Sequence, residues 1–470
     1  MTTLNRHRLL SGTLVMLVGL SAWDNAAAAP RKPNIVLIVA DDLGWTDLGF
    51  QGSKFYETPN LDRLAGGGMV FTDAYTPAAN CAPTRACYMS GQYGPRHGIY
   101  TVGTSVRGNP RQRKLIPTPN RTTLPDENVT LAEALRTNGY ATCHAGKWHL
   151  GGDARTQGFD VNIAGSHWGH PKRGYFSPYG MAHLDDGPKG EYLADRITTE
   201  ALDFIEDHKD EPFFLHMAHY SVHTPIQPKP EKVPHYRQKK PTDRHNDPKY
   251  AAMIESLDEN VGRLMDGLAD AGLDEHTLVV FTTDNGGVYK ITRQWPLRAG
   301  KGAYYEGGIR APFVVRWPGK VAPGSRCATP VIGVDFYPTF LEAAAATPPE
   351  GKQLDGLSLI PLLTGQGSFP ERPLFWHFPI YLQAGNSETR DPLFRTRPGS
   401  VIRLGDWKLH EYFEDGGLEL YNLKDDIGEK HNLAAQMPEK VRELHAKLQA
   451  WREATGAPVP TEPNPAYRTR

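Results

Sequence analysis

Residues 34–44 are Asn34-Ile35-Val36-Leu37-Ile38-Val39-Ala40-Asp41-Asp42-Leu43-Gly44. The nearly continuous Ile, Val and Leu content of the first part predicts a β-strand, Asn34–Ala40, that is buried on both faces. Such strands are typical of parallel sheets that are covered by helices on both sides. The strand is expected to end where the apolar run gives way to Asp41 and Asp42.

Strand-like and helix-like segments alternate along the rest of the chain. Further apolar runs of strand length occupy residues 212–217, 278–283 and 312–316, and helical patterns occupy residues 59–65, 130–138 and 250–271. In the longest helical pattern, apolar residues recur every three or four positions, which predicts a helix face packed on a core. The alternation predicts an α/β fold with a large, mostly parallel sheet flanked by helices.

The pattern changes after about residue 369. Short strands are predicted at residues 374–377, 400–404, Trp407–Tyr412 and Leu418–Asn422, separated by Gly and Asp turns, which indicates a small antiparallel sheet. An amphipathic helix with Val441, Leu444, Leu448 and Trp451 on one face follows, and the Pro-rich segment 458–465 is expected to be loose. A chain of 470 residues is too long for one core. We therefore expect a large α/β domain over residues 29–369 and a small α+β subdomain over residues 370–470.

Charge is balanced over the chain. The 52 Lys and Arg residues face 53 Asp and Glu residues, which gives a formal net charge of −1. A nucleic-acid-binding domain usually carries a basic excess, so nucleic acid is not an expected partner.

The amino terminus resembles a signal peptide. Arg6 and Arg8 precede a mostly apolar stretch that is too short to span a membrane, and small residues follow at Ala26 to Ala29. We predict that residues 1–28 are removed and that the mature protein is periplasmic or secreted. No later segment is expected to span a membrane.

Oxygen-bearing side chains follow two of the predicted strands. Asp41 and Asp42 follow the first, and Asp284 and Asn285 follow the strand at 278–283. Ligands in open α/β sheets bind at the carboxyl ends of strands. Carboxylate and amide oxygens without imidazole or thiolate favour a hard cation such as calcium over zinc. Either pair alone is also compatible with a cap or turn role.

Cations and imidazoles follow other strand ends. Lys147 and His149 lie in one such cluster and His223 in another, while Lys301 lies in a Gly-rich segment. Together they are candidates to surround an anion beside the metal, with His as acid or base. The sequence does not separate these residues from His144, His216 and His219, which are equally compatible with a core role.

The segment Cys81-Ala82-Pro83-Thr84-Arg85 carries the most specific signal. It resembles the Cys-x-Pro-x-Arg signature of the type I sulfatases, an arylsulfatase-like family of the alkaline phosphatase superfamily. In that family a maturation enzyme oxidises the first residue to Cα-formylglycine (3-oxoalanine). If a helix begins here, Cys81 lies at its positive amino end and Arg85 lies one turn further on the same face. A structural cysteine before a helix is the alternative.

The resemblance extends over nearly the whole mature chain. It includes residues 33–44, Gly146-Lys147-Trp148-His149, Thr283-Asp284-Asn285-Gly286, residues 300–312 and residues 419–433. It implies an alkaline-phosphatase-like catalytic domain and the following site. Calcium would be bound by Asp41, Asp42, Asp284, Asn285 and the modified Cys81. Arg85 and Lys147 would steady the formylglycine, His223 and Lys301 would hold the sulfate, and His149 would serve the aldehyde.

By the same resemblance, a hydroxyl of the hydrated aldehyde at position 81 would attack sulfur, and His223 or Lys301 would protonate the leaving oxygen. His149 would then take a proton from the second hydroxyl. Two alternatives stay open: a phosphomonoesterase or phosphonate hydrolase on the same fold, and a noncatalytic binder of sulfated glycans that keeps the Cys81 thiol.

The expected substrate is a sulfated carbohydrate. Basic segments at residues 107–121 and 225–249 are candidates to line a path for a polyanionic sugar, although solvated loops are an equal alternative. A Gly-rich insertion adds candidate sugar contacts at His167, Trp168, His170, Arg173 and Tyr175.

Overall fold

The strand that contains residues 34–40 lies in the middle of a large sheet in the computed structural model, which describes residues 1–3, 31–242 and 244–468. The eight strands of this sheet within the described residues are, in spatial order, β5 (Val161–Ile163), β4 (Ala141–Gly146), β6 (Phe213–Ala218), β1 (Asn34–Ala40), β7 (Thr277–Thr283), β8 (Val314–Arg316), β2 (Met69–Phe71) and β9 (Ser325–Cys327). Strands β5, β4, β6, β1 and β7 run parallel to one another, and β8 is antiparallel to both β7 and β2. The predicted mostly parallel sheet is confirmed.

Helices cover both faces of this sheet. The described helices are α1 (Pro59–Gly66), α2 (Cys81–Ser90), α3 (Gly94–His97), α4 (Leu131–Thr137), α5 (Leu193–Asp207), α6 (Val233–Gln238), α7 (Pro248–Asp270), α8 (Glu306–Ile309), α9 (Phe336–Ala343), α10 (Ile360–Thr364) and α11 (Pro438–Thr455). Short 3₁₀ helices lie at Gly49–Gln51, Pro110–Gln112, Ala154–Gln157, Asp274–His276 and Gly333–Asp335.

Side chains of β1 alternate between two cores, as the two-residue period of a strand requires. Val36 and Ile38 pack in one core with the apolar face of α7 and with α5. Ile35 and Leu37 pack in the opposite core with α2, α4 and α9. Burial on both faces, which the apolar run predicts, is therefore confirmed.

A second, antiparallel sheet lies in the carboxyl-terminal part. Its strands are β11 (Leu374–Phe378), β12 (Gly399–Leu404), β13 (Trp407–Tyr412) and β14 (Leu418–Asn422), and a pair of short strands, β3 (Ala74–Tyr75) and β10 (Val331–Ile332), forms a further small sheet. Val441, Leu444 and Leu448 of α11 pack against β11–β14, as predicted. The division at residues 29–369 and 370–470 stays a prediction.

The Pro-rich end is not loose, contrary to our prediction. The Ile116 N–H donates to the Glu462 carbonyl at 2.9 Å, and the Asn464 N–H donates to the Lys114 carbonyl at 2.8 Å. The predicted signal peptide falls mainly on residues 4–30, outside the described residues. Among the residues that are described, no helix is long and apolar enough to cross a membrane.

Gly146, at the end of β4, allows a close strand contact. Its φ is +110°, and a Cβ there would lie 1.9 Å from the Ala218 carbonyl oxygen of β6. We expect Gly146→Ala to lower stability by roughly 1–3 kcal/mol more than Gly139→Ala does. Gly139 is the matched control because its φ is also positive, at +82°, and a Cβ there meets nothing within 4 Å. Urea unfolding of both variants measures the difference, and equal losses would contradict the packing argument.

Candidate active site

Four neighbouring strands, β4, β6, β1 and β7, bring the predicted site residues to one edge of the sheet. Their ends are level, since Ala40 pairs with Thr283 and Gly146 pairs with Ala218. Lys147, Asp41 and Asp284 each begin the loop that follows one of these strands. The convergence that the strand-end rule predicts is therefore observed.

Asp41, Asp42, Asp284 and Asn285 are fully buried, and Asp41 and Asp42 form ion pairs with lysines. Lys147 Nζ lies 2.6 Å from Asp41 Oδ2, and Lys301 Nζ lies 2.6 Å from Asp42 Oδ1. The Asn285 side-chain amide donates to Asp42 Oδ1 at 2.8 Å. Burial, with repulsion from Asp284, raises the pKa of Asp41 to about 8 although Lys147 opposes the shift. Burial also acts to raise the pKa of Asp42, but Lys301 and His223 outweigh it and hold that pKa below its usual value.

Three buried oxygens of these residues have no hydrogen-bond partner among the described residues. They are Asp41 Oδ1, Asp42 Oδ2 and Asn285 Oδ1. Leaving such atoms unpaired is unfavourable, and carboxylate and amide oxygens are ligands that a hard cation such as calcium takes. Ligand atoms of Asp41, Asp42, Cys81 and His223 also lie within 4.8 Å of one another. The donor set therefore fits the calcium ion that the sequence predicts, with His223 as an additional neighbour.

Asp284 is held in place by Arg85. The Arg85 Nε and Nη2 groups donate to Asp284 Oδ2 at 2.9 and 2.8 Å, and its Nη1 group donates to the Lys147 carbonyl at 2.6 Å. Asp284 Oδ1 accepts the Asp42 N–H at 3.3 Å. Both Asp284 oxygens thus have protein partners, and Arg85 acts chiefly on the position of Asp284.

Cys81 is the first residue of α2, as the sequence predicts for a helix at this segment. It is 2% exposed, and Lys301 Nζ lies 3.4 Å from its sulfur. Burial raises the pKa of the Cys81 thiol to about 11 despite Lys147 and Lys301. An unmodified thiol here is therefore a poor nucleophile at neutral pH, because the thiolate is the reactive form. All four cysteines are free.

Two site residues have a left-handed backbone conformation. Asp42 and His149 both have φ of +63°, which is uncommon for residues other than glycine. His149 Nδ1 has no partner among the described residues. Burial, reinforced by Lys147 and Arg85, lowers the pKa of His149 well below its usual value, so its imidazole is neutral.

His223 projects toward Asp42, with Nε2 3.7 Å from Asp42 Oδ2. Its Nδ1 donates to the Thr224 carbonyl at 2.6 Å, and burial lowers its pKa to about 4. The Tyr175 hydroxyl donates to the carbonyls of Tyr220 and His223 at 2.6 and 2.7 Å. Tyr175 is buried and positions the His223 loop, so its predicted sugar contact is wrong.

Three further histidines that the sequence could not assign, His144, His216 and His219, lie in the core. His144 and His216 face each other across β4 and β6, with their Nδ1 atoms 3.0 Å apart. His219 is buried as well. None of the three lines the cleft that contains Cys81.

A cleft of about 810 Å³ opens above Cys81. The predicted residues Asp42, His149, His223, Lys301, Arg107, His167, Trp168 and His170 line it. Arg173 does not, and neither do the described residues of the basic segment 225–249, whose Lys232 and Lys239 instead pair with glutamates. Sequence reasoning missed Arg395 and Leu382, which reach the cleft from the carboxyl-terminal part.

Comparisons with known proteins agree with this geometry. A family described as Sulfatase matches residues 33–346, and one described as N-sulphoglucosamine sulphohydrolase, C-terminal, matches residues 300–454. A sulfatase of Formosa agariphila is 35% identical over 92% of this chain and 90% of its own length. Human arylsulfatase A is 33% identical over 94% of this chain and 92% of its own length.

A solved structure is similar too. The crystal structure of Ps i-CgsB has a TM-score of 0.75 and 30% identity, and the match covers 90% of this chain and 93% of that one. The same protein has been solved in complex with k-i-k-neocarrahexaose. The family match, the two relatives and the shared alkaline-phosphatase-like fold place this chain in the sulfatase family, as a sulfuric ester hydrolase.

Proposed function

We propose that this protein is an exported sulfatase that hydrolyses sulfate esters of carbohydrates with a formylglycine at position 81 and one calcium ion. One observation carries the proposal: residue 81 begins α2 beside three unpartnered buried oxygens and a lysine, at the floor of an open cleft. The amino end of a helix and nearby cations favour negative charge at this point.

The calcium ion and the modified residue 81 have separate roles in the proposed reaction. Asp41, Asp42 and Asn285 would hold calcium through their free oxygens, with Asp284 fixed by Arg85 and residue 81 completing the set. When present, the hydrated aldehyde supplies a hydroxyl nucleophile, and calcium offsets charge on the sulfuryl oxygens.

The remaining roles belong to unmodified side chains. Lys147 and Lys301 place positive charge beside residue 81, and Arg85 fixes the backbone of Lys147. Lys301 and His223 both lie beside Asp42, which suits them to bind sulfate. The Lys301 ammonium carries the proton available to the leaving oxygen, because the lowered pKa of His223 leaves its imidazole neutral. The neutral His149 imidazole is suited to accept a proton from the group at position 81.

Two observations favour a carbohydrate substrate. Trp168 and its neighbours His167 and His170 form an aromatic surface in the cleft. The Trp168 ring centroid lies 5.0 Å from that of His167 and 5.7 Å from that of His170. The complex of Ps i-CgsB with a carrageenan oligosaccharide supports the same class. Export through the predicted signal peptide and maturation by a formylglycine-generating enzyme are part of the proposal.

We expect the protein to hydrolyse 4-nitrophenyl sulfate with a kcat/KM roughly 100-fold higher than that for 4-nitrophenyl phosphate, a difference of about 2.7 kcal/mol. Matched leaving groups make the comparison a direct measure of discrimination at sulfur against phosphorus. Preference for phosphate would favour the phosphomonoesterase alternative. Binding of sulfated polysaccharide without sulfate release, despite formylglycine at position 81, would favour the noncatalytic binder.

A further inference from the structure

Two arginines reach the cleft from distant parts of the chain. Arg107 lies in the loop after α3, and Arg395 lies between β11 and β12. Both are half-buried and line the same cleft as Cys81 and Lys301. Neither belongs to the sulfate-binding set that the sequence predicts.

Neither guanidinium group makes an ion pair with a carboxylate among the described residues. Arg107 donates from Nε to the Gln383 side-chain oxygen at 3.3 Å and from Nη1 to the Val102 carbonyl at 3.1 Å. Arg395 donates from Nε to the Ala384 carbonyl at 3.1 Å and from Nη1 to the Lys301 carbonyl at 3.4 Å. Within the described part of the chain, each Nη2 group has no acceptor.

Two other arginines of the same part of the chain, Arg390 and Arg397, form ion pairs with carboxylates. Arg390 pairs with Asp415, and Arg397 pairs with Asp391 and Glu414. Partly buried cations are normally compensated in this way, because removing an unpaired charge from water is unfavourable. Within the described residues, Arg113 and Arg298 also lack a carboxylate partner, but neither lines the cleft. Because Arg107 and Arg395 do line it, a ligand in the cleft can supply their compensating charge.

Hydrogen bonds fix the Arg107 and Arg395 side chains close together. Both are anchored to the same short segment, residues 383–384. The Arg395 N–H donates to the Leu382 carbonyl at 2.7 Å, and Arg113 donates to the carbonyls of Arg107 and Gly108 at 2.8 and 3.0 Å. Burial lowers the pKa of Arg395, the charge of Asp42 opposes this shift, and the charge of Arg107 adds to it. Fixed guanidinium groups match the planar or tetrahedral oxygens of carboxylate and sulfate.

We propose that Arg107 and Arg395 bind a second anionic group, a sulfate or a carboxylate, on the saccharide whose sulfate ester is hydrolysed at position 81. The contact between Arg395 and the backbone of Lys301, whose Nζ lies beside Cys81, puts this subsite next to the reacting group. The proposal rests on the proposed function and names its substrate class: a carbohydrate with more than one anionic group.

Binding to a Cys81→Ala protein tests the subsite without turnover. The probes are three disaccharides: one from κ-carrageenan with a single sulfate, one from ι-carrageenan with a further sulfate, and one from chondroitin 6-sulfate with a sulfate and a carboxylate. We expect tighter binding of ι than of κ if the second group is sulfate, or binding of chondroitin 6-sulfate if it is carboxylate. Adding Arg395→Gln or Arg107→Gln should weaken the preferred probe roughly 10- to 100-fold, and the singly charged probe much less.

Arg111→Gln is the matched control, because Arg111 is exposed on the same loop as Arg107 and does not line the cleft. It removes the same charge and should leave affinities unchanged. Equal weakening of all probes by the Arg107 and Arg395 variants, no weakening, or no binding of any probe would overturn the proposal. Failure of the proposed function would show differently, as absence of sulfate release from every ester by the wild-type protein.

Discussion

Cys81→Ala should abolish sulfate release, lowering kcat/KM by at least about 10⁴-fold, the scale seen when a catalytic nucleophile is removed. Alanine cannot be oxidised to formylglycine, so the nucleophile is lost while Lys147, Lys301 and the acidic residues stay in place. Relative to formylglycine, the change removes only the aldehyde oxygen at a position that lines the cleft, so the melting temperature in EDTA should hardly move. Release of inorganic sulfate from 4-nitrophenyl sulfate measures the effect.

Cys87→Ala is the matched control for this experiment. Cys87 lies on the same helix, is buried, and contacts His97 Nε2 at 3.4 Å rather than the cleft. Its replacement should leave kcat unchanged. Mass spectrometry of the wild-type peptide that contains position 81 should show the aldehyde. More than a tenth of wild-type activity in Cys81→Ala, or an active wild-type preparation with only thiol at position 81, would contradict the mechanism.

The strands that carry the site could be predicted because their signal is local. Strands β1 and β7 are buried on both faces, which leaves a continuous apolar run in each sequence. The polar residues after them then follow from the rule for parallel sheets. The three-residue strands β2, β5 and β9 are too short for any periodicity, and pairing with distant segments alone defines them.

The roles of the histidines could not be assigned from the sequence without knowing where β4 and β6 end and how they pair. His144 and His216 lie inside β4 and β6 and pair directly in the sheet, whereas His149 and His223 lie beyond the strand ends. Position within or after a strand separates these four histidines, but it fails for His219, which directly follows β6 and is buried. Arg395 had no such signal, because its place in the cleft depends on how the segment after β11 folds back toward Lys301.

At pH 9, where Asp41 with its pKa of about 8 is ionised, Asp41→Asn should destabilise the calcium-free protein by roughly 3–5 kcal/mol, the range for removing one partner of a buried ion pair. The substitution nearly preserves shape but leaves the Lys147 ammonium, which is 0% exposed, without its carboxylate. It also weakens the set of oxygens available to a cation. In the wild type, calcium at about 100 times its Kd should add roughly 2.7 kcal/mol of stability, and the variant should lose most of this gain. Urea unfolding with calcium and with EDTA measures both effects.

The double variant Asp41→Asn/Lys147→Met separates the ion pair from the cation site. Removing both charges leaves no uncompensated buried charge, so most of the calcium-free stability should return. Calcium should still stabilise the double variant much less than the wild type, because a neutral amide oxygen replaces the charged carboxylate oxygen that Asp41 leaves unpartnered. Recovery of the calcium response together with the stability would mean that Asp41 serves only to pair with Lys147. Recovery of stability alone assigns its second oxygen to the metal.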